Sequence, residues 1–475
     1  MGDRIECDVC VIGAGSAGLV AAAAAAQMGA RTVLIERGRM GGDCLNYGCV
    51  PSKALIAAAA HAQSVRDSQA FGIRAIEPEI DFAAVMAHVH EVIAEIAPND
   101  SVERFEGLGV RVLKAEARFT GERELQAGDQ HIRARLFVLA TGSRAAVPPV
   151  PGLADLPYLT NETIFDLRES PAHLLVLGGG PIGLELAQAF RRLGSKVTVL
   201  EAARCLPRDE PELVAKVLER LRADGVEIRQ DAKVARFERT GEAITAVLAG
   251  EGGEESIRGS HLLVAAGRRP VTEGLGLEVA GVKASARGIA VDAALRTSNR
   301  RIWAIGDCNG LYPFTHMAGA QAGLFIRGGL LRLPARLDHR TVPWTTYTDP
   351  ELAQVGLTEA KAREQYGGAV STATWALAEN DRAHTERRTE GLVKLVLGRR
   401  NRILGAAIAA PHAGELIQPW CLALARNLPL SAMASLVVPY PTLGEASKRA
   451  AGSRFAGLLF SPATRRIVRL LLALR

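Results

Sequence analysis

Residues 9–37 read VCVIGAGSAGLVAAAAAAQMGARTVLIER, and residues 174–202 read LLVLGGGPIGLELAQAFRRLGSKVTVLEA. These are one pattern written twice: Gly13, Gly15, Gly18, Gly29 and Glu36 have the counterparts Gly178, Gly180, Gly183, Gly194 and Glu201. In each copy an apolar strand enters a glycine-rich turn, a helix follows, and a second strand (32–35 or 197–200) ends in an acid. Glycines at this spacing permit a tight turn and let a pyrophosphate approach a helix N-terminus, where N–H groups and the helix dipole favour negative charge. The terminal acid is placed to accept hydrogen bonds from an adenosine ribose. One G-x-G-x-x-G carries little weight. Two in matching frames predict two dinucleotide sites in one chain.

Directly after the first copy comes Gly41-Gly42-Asp43-Cys44-Leu45-Asn46-Tyr47-Gly48-Cys49-Val50-Pro51-Ser52-Lys53. A disulfide between Cys44 and Cys49 closes a very small loop, and chain entropy gives such a loop only about 2 kcal/mol of stabilisation. That is a poor staple for a long chain but a suitable redox couple, because the thiolate is the reactive species and its surroundings set its pKa. The alternatives are a zinc half-site or two unrelated core cysteines. A four-coordinate zinc needs a second ligand pair, and none with such spacing appears. The dinucleotide beside this pair must exchange electrons with a disulfide, which a flavin can do, so the first copy is assigned FAD and the second the nicotinamide nucleotide. Glu201 accepts a free 2′-hydroxyl and repels a 2′-phosphate, favouring NADH; the nearby Arg204 leaves NADPH open.

The chain has 475 residues, 48% hydrophobic and 23% charged, with a net charge of +6. It is long enough for several domains and has the balance of a soluble globular protein. No Lys/Arg-dense run precedes the C-terminal tail, so nucleic acid is not an expected partner. Residues 1–6 carry acids where a signal peptide needs a basic start, and the apolar run 19–26 is too short to span a bilayer. Seven cysteines without a regular framework fit a reducing cytoplasm. Cys7 and Cys10 read as small core residues of a buried strand, and Cys205, Cys308 and Cys421 show no partner.

Taken together, these residues resemble the class I flavoprotein disulfide reductases, which include dihydrolipoamide dehydrogenase, glutathione reductase and mercuric reductase. The resemblance runs from about residue 6 to residue 450. Ala140-Thr141-Gly142-Ser143 is similar to the family's segment that closes the first flavin contact, and Val264-Ala265-Ala266-Gly267-Arg268-Arg269-Pro270 looks like its counterpart in the nicotinamide domain. Ile302-Trp303-Ala304-Ile305-Gly306-Asp307 resembles the second flavin motif, whose Asp binds the ribityl chain.

The resemblance implies an α/β fold with two Rossmann-like nucleotide-binding domains, one for FAD and one for NAD(P), plus a C-terminal α+β dimerisation domain. The implied division is 1–148 and 271–340 for FAD, 149–270 for NAD(P), 341–450 for the interface and 451–475 for a tail. Ser16, Gly42, Thr141, Gly142, Gly267, Gly306 and Asp307 join the repeat glycines and acids as cofactor-binding residues. Cys44 is implied as the interchange thiol that attacks substrate, and Cys49 as the thiol beside the isoalloxazine ring that forms a charge-transfer complex. Lys53 is implied near flavin N5, paired with Glu185, the one acid in the apolar helix start 182–187; a cation there stabilises reduced flavin. Pro343-Trp344-Thr345-Thr346-Tyr347-Thr348-Asp349-Pro350 looks like the start of the interface domain, and 392–397 and 403–408 read as antiparallel strands. The implied assembly is a homodimer with shared active sites.

Disulfide-handling relatives carry His-Pro-Thr-x-x-Glu in the segment lent to the partner, with the His as acid/base and the Glu orienting it. Here it reads Tyr440-Pro441-Thr442-Leu443-Gly444-Glu445. Thiol–disulfide interchange needs a proton shuttle near neutral pH, and a phenol with pKa ~10 is ionised in only roughly one part in a thousand at pH 7. His412, the nearest substitute in sequence, reads as a surface turn. Mercuric reductases resemble this chain in having tyrosine there, where a phenol oxygen can contact a soft metal held transiently between Cys44 and Cys49. They also carry a C-terminal cysteine pair, which Leu470-Leu471-Leu472-Ala473-Leu474-Arg475 lacks, and many have an extra N-terminal metal-binding domain. No permanent metal is expected.

The expected function is therefore transfer of electrons from NAD(P)H through FAD and the Cys44–Cys49 disulfide to a soft metal ion such as Hg(II), or to an unidentified disulfide or electrophile. Dihydrolipoamide dehydrogenase is one alternative. A flavin redox sensor or membrane-docked electron-transfer subunit is another. In the tail, Ser461 caps a helix begun by Pro462, with Arg465, Arg466 and Arg469 on one side and Ile467, Val468, Leu470, Leu471 and Leu474 largely on the other. Such a helix is expected to pack on the dimer, with an anionic membrane surface as the alternative; the expected place is the cytoplasm, and residues 461–475 are the candidate for a peripheral membrane contact.

Overall fold

The structure is a computed structural model describing residues 4–250 and 253–474. Residues 1–3, on which half of the signal-peptide reading rests, and the last tail residue lie outside the described residues. The architecture is α/β, as the repeats predict.

The strand Arg4–Ile12 runs parallel between Thr32–Glu36 and Gln130–Leu139, and Ile302–Ala304 lies parallel on the far side of Gln130–Leu139. The register pairs Ile12 with Ile35 and with Leu139, and Leu139 with Ala304. These four residues thus lie in one row at the carboxyl ends of their strands, and the residues that follow them are Gly13, Glu36, Ala140 and Ile305. Every flavin-type motif of the sequence leaves the same carboxyl edge, where open α/β sheets bind ligands. The second repeat is built likewise: His173–Leu177 lies parallel between Lys196–Leu200 and His261–Val264, with Leu177 paired to Leu200 and Val264.

Helix Ser16–Gln27 is almost all alanine on its sheet side, and Ala17, Ala21, Ala22 and Ala25 are buried against Val9, Val11, Leu34 and Val138. Small side chains bring its axis close to the strands, and the N-terminus then falls at the strand ends. Beyond residue 340 the strand Glu351–Gly356 pairs antiparallel with Ile403–Ala410, which pairs with Leu392–Leu397. Helices Gln418–Ala425 and Glu445–Leu459 add Trp420, Ala446 and Ala450 to that sheet's core.

By their contacts the residues form two compact units, Met1–Ser68, Arg74–Ala203 and Arg229–Leu337 in one, and Gln69–Ile73, Arg204–Ile228 and Asp338–Arg475 in the other. Segment Arg204–Ile228, which lies within the expected 149–270, also makes contacts with the C-terminal sheet. The cause is Lys394, 3% exposed at its side chain, whose ammonium lies 2.9 Å from Glu210, 2.7 Å from Glu359 and 2.5 Å from Glu212. Burial alone would discharge this lysine, and the three carboxylates together hold it charged.

Asp209 stands beside this network and accepts a hydrogen bond from Trp344 Nε1 at 2.7 Å. Burial pushes its carboxyl up to about 6. An acid whose folded pKa is raised holds its proton more tightly in the folded state, so its favourable contribution is full below about pH 4 and is lost as pH rises to about 6. Asp209→Asn keeps the acceptor and removes the charge. It should stabilise the protein by on the order of 3 kcal/mol above pH 6, with the gain vanishing near pH 4. Urea unfolding at both pH values checks this; a gain independent of pH would contradict it.

Candidate functional site

The two glycine-rich turns are built with the same division of labour. Gly13 has φ +104° and Gly178 φ +117°, and a Cβ there would fall 2.3 Å from the Ala140 carbonyl or 2.5 Å from that of Ala265. A Cβ at Gly18 or Gly183 would strike the carbonyl of Gly13 or Gly178 at 1.8 or 2.0 Å. The middle glycines differ: a Cβ at Gly15 would meet nothing nearer than 3.8 Å, and one at Gly180 nothing within 4 Å. First and third glycines close the turn, and the second leaves space at a helix N-terminus, which a pyrophosphate fits. The acids repeat as well. Glu36 accepts from Ala14 N (2.7 Å) and Gly38 N (2.6 Å), and Glu201 from Gly179 N (2.7 Å) and Ala203 N (2.9 Å). Each carboxylate is fixed beside its own turn.

The other nucleotide segments are tied to each other. Ser143–Ala145 pairs antiparallel with Arg268–Pro270, Thr141 Oγ1 donates to Val271 O at 2.7 Å, Val271 N donates to Gly142 O at 3.0 Å, and Ala146 N donates to Gly267 O at 2.9 Å. Gly306 N donates to Gln321 Oε1 at 2.8 Å, which fixes the turn into Asp307. Arg268 Nε donates to Ser143 Oγ (2.8 Å), which donates to Asp307 Oδ2 (2.6 Å), and Arg268 Nη2 lies 3.1 Å from Asp43 Oδ1. Burial raises the Asp307 carboxyl against the pull of Ser143 and Arg268. One arginine therefore links the second flavin-type motif to the residue preceding Cys44.

Gly41 N donates to Ala14 O at 2.9 Å, and a Cβ on Gly42 would fall 2.6 Å from Gly15 Cα. Only glycine lets the cysteine segment lie this close to the first turn. Cys44 then sits in the short helix Gly42–Asn46, and Cys49 opens helix Cys49–Asp67. Both are free thiols. Lys53 lies one turn past Cys49, and its Nζ is 2.8 Å from Glu185 Oε2, a carboxylate 6% exposed. The acid in the apolar helix start is thus held by the lysine of the cysteine segment.

Cys49 Sγ lies 3.4 Å from Thr315 Oγ1, at the first residue of helix Thr315–Phe325. The hydrogen bond from Cys44 lowers the Cys49 thiol to about 6, with Thr315 and the Lys53 charge adding to it. The same bond, together with burial, pushes the Cys44 thiol well up. The two neighbouring sulfurs are thus pushed in opposite directions, Cys49 toward the thiolate and Cys44 toward the thiol.

Tyr440 and Glu445 belong to the C-terminal unit. Tyr440 is 70% exposed, and its hydroxyl donates to Asp381 Oδ2 at 2.8 Å, which raises the phenol above its ordinary value. Glu445, which the resemblance implies as the orienting acid, accepts from Arg449 Nη2 at 2.8 Å in its own helix. His412 is an exposed cap in the left-handed region. Sequence reasoning missed Arg268, Thr315 and Asp381 as site residues; Arg268 at least stood within a recognised segment.

Two outcomes follow from the ionisation pattern. In the reduced protein the ultraviolet thiolate absorbance lost in Cys49→Ser should titrate with a midpoint of about 6, and Thr315→Val should move it upward. A midpoint near the ordinary cysteine value of about 8.5 would contradict the split. Asp381→Asn should bring the tyrosinate step that Tyr440→Phe abolishes down toward ~10; an unmoved step would remove Asp381 from the account.

Residues 7–322 match the family profile of the pyridine nucleotide-disulphide oxidoreductases, and residues 342–451 match the profile of that family's dimerisation domain. The chain is 39% identical over 452 residues to a mercuric reductase of Streptomyces lividans, covering 94% of this chain and 95% of the relative. It is 36% identical over 456 residues to a dihydrolipoyl dehydrogenase of Thermus scotoductus, covering 94% and 96%. Among solved structures, the Cu(II) complex of the HOCl-induced flavoprotein disulfide reductase RclA from Escherichia coli is similar with a TM-score of 0.84 at 29% identity, covering 94% of this chain and 99% of that one. LpdA from Mycobacterium tuberculosis gives 0.86 at 28%, covering 94% and 100%. With its paired nucleotide turns and its cysteine couple, the chain belongs to the pyridine nucleotide-disulphide oxidoreductase family, as an FAD- and NAD(P)H-dependent enzyme with a dimerisation domain.

Proposed function

We propose that this enzyme oxidises NADH and delivers the electron pair to the Cys44–Cys49 disulfide, from which a soft divalent metal ion is reduced. The observation that carries the reading is the Cys44–Cys49 pair beside Thr315 and Lys53, in a chain whose Tyr440 stands where disulfide-handling relatives have an imidazole. The first repeat with Thr141, Gly142, Gly306 and Asp307 would hold FAD, which when bound would supply a two-electron relay between nicotinamide and disulfide. The nicotinamide nucleotide sits at the second repeat, where the fixed Glu201 carboxylate disfavours a 2′-phosphate.

Once the disulfide is reduced, two sulfurs of unequal basicity are available. Cys49 is ionised near neutral pH, and Cys44 loses its proton as a soft cation binds, since thiolate is the ligand such ions select. Lys53 compensates negative charge close to Cys49, and Glu185 holds Lys53 in place. The phenol of Tyr440 contributes oxygen lone pairs rather than a labile proton. Reduction of the divalent ion by NADH yields the metal, NAD⁺ and one proton, so no sulfur-bound leaving group needs protonation.

This fits the mercuric reductase name of the Streptomyces relative and the Cu(II) complex formed by RclA. Dihydrolipoamide turnover, despite the Thermus relative, is disfavoured by the same phenol. The active unit in this reading is a homodimer in which Tyr440 serves the partner's cysteines, divided as 1–148 and 271–340, 149–270, 341–450 and a tail from 451. It works in the cytoplasm, with residues 461–475 touching the inner face of the membrane.

An anaerobic acceptor screen under NADH and NADPH tests the reading. Hg(II) or Cu(II) should support NADH oxidation that Cys44→Ala and Cys49→Ala both abolish, while lipoamide and glutathione disulfide stay slow and Tyr440→His raises lipoamide turnover. Fast wild-type turnover of lipoamide, or metal reduction indifferent to both cysteines, would overturn it.

A further inference from the structure

The tail is the part of the chain that the electron path does not use. The matched dimerisation domain ends at residue 451, inside helix Glu445–Leu459, and helix Pro462–Ala473 lies wholly past it. The junction is firmly made: Ser461 Oγ accepts from Thr464 N at 3.2 Å, and Thr464 Oγ1 donates to Leu458 O at 2.8 Å. Yet no residue of helix Pro462–Ala473 is buried. Leu470 is 65% exposed and Leu474 76%, and the residues leading into the helix, Leu458 and Phe460, are 71% and 68% exposed.

Charge says what covers this face. Residues 446–474 contain Lys448, Arg449, Arg454, Arg465, Arg466 and Arg469 and not one Asp or Glu. Among the described residues Arg465, Arg466 and Arg469 form no ion pair, although ion pairs are frequent elsewhere in the chain. At 100° per residue these three arginines group on one side with Leu472 beside them, and Ile467, Leu471 and Leu474 lie opposite, flanked by Val468 and Leu470. A helix of this length spans about 18 Å, too short to cross a hydrocarbon core of about 30 Å but suited to lying in its interface.

We infer that the tail helix, with Leu458 and Phe460 at its entry, is a docking element for an anionic membrane surface: the apolar ridge enters the acyl boundary, and Arg465, Arg466 and Arg469 meet lipid phosphates. This deepens the membrane contact of the proposed function and is independent of the electron path. In a dimer two such helices act together, so each binding event raises the effective concentration for the second.

The test uses the full-length holoenzyme with phosphatidylcholine vesicles, with and without phosphatidylglycerol. The wild type should co-sediment only with the anionic vesicles, and less so at raised salt. Replacing the three arginines by Gln should reduce the partition coefficient by on the order of a hundredfold, about fivefold for each charge. A chain stopped after Ser461 should lose binding while keeping its sedimentation coefficient and NADH-dependent flavin reduction. Equal binding of the stopped chain overturns the membrane contact itself. Undiminished binding of the triple Gln variant overturns recognition of anionic lipid while leaving the contact standing. Dissociation of the stopped chain to monomers assigns the helix to packing between two copies. Flavin reduction in the same samples reports separately on the electron path.

Discussion

The close approach of Gly42 to Gly15 is the constraint on which the site depends. A side chain at Gly42 would sit 2.6 Å from the Gly15 backbone, so a methyl group there would push the cysteine segment off the nucleotide turn. With both residues glycine, the turn that leaves room for a pyrophosphate also carries the redox pair beside it. The strand register does the rest: Ile12, Ile35, Leu139 and Ala304 lie level, and four loops converge on the place where that nucleotide extends.

Around this frame, charge is arranged so that two chemically identical thiols behave differently. Cys49 has the Thr315 hydroxyl at 3.4 Å and feels the Lys53 ammonium, which with the neighbouring Cys44 lower its thiol; Cys44, the less exposed residue of the two, is raised by Cys49 and by burial. Lys53 is itself held by Glu185, a carboxylate that would be costly to bury alone. Arg268 plays the matching part on the other side, bridging Asp43 and, through Ser143, Asp307. The charged groups of these two networks are held by one another, and truncating one removes a partner of the next.

Much of this was legible in the residues. The repeat could be read because its signal is local: apolar strand, glycines at fixed offsets, terminal acid, all within thirty or so positions. Glu185 stood out because an acid in an apolar helix start needs a partner, and Lys53 was the cation in the neighbouring motif. Thr315 was not legible: it lies 266 residues from Cys49 and is an ordinary threonine at an ordinary helix start. Asp381 was hidden for the same reason, 59 residues from Tyr440 in a polar turn. The role of Lys394 was hidden too. The strand LVKLVL was legible as a strand, but nothing in it announces that three carboxylates from two other segments bury Lys394 and hold Arg204–Ile228 to the C-terminal sheet. Long-range pairing of common residue types leaves no local pattern.

The central claim is that the Cys44–Cys49 couple is an electron store in series with the bound flavin. Anaerobic titration of the oxidised holoenzyme with dithionite measures it most directly. The account predicts that the wild type takes up twice the electrons that its flavin alone accepts, and that Cys49→Ser takes up only the flavin's share. A wild type saturated by its flavin's share would contradict it.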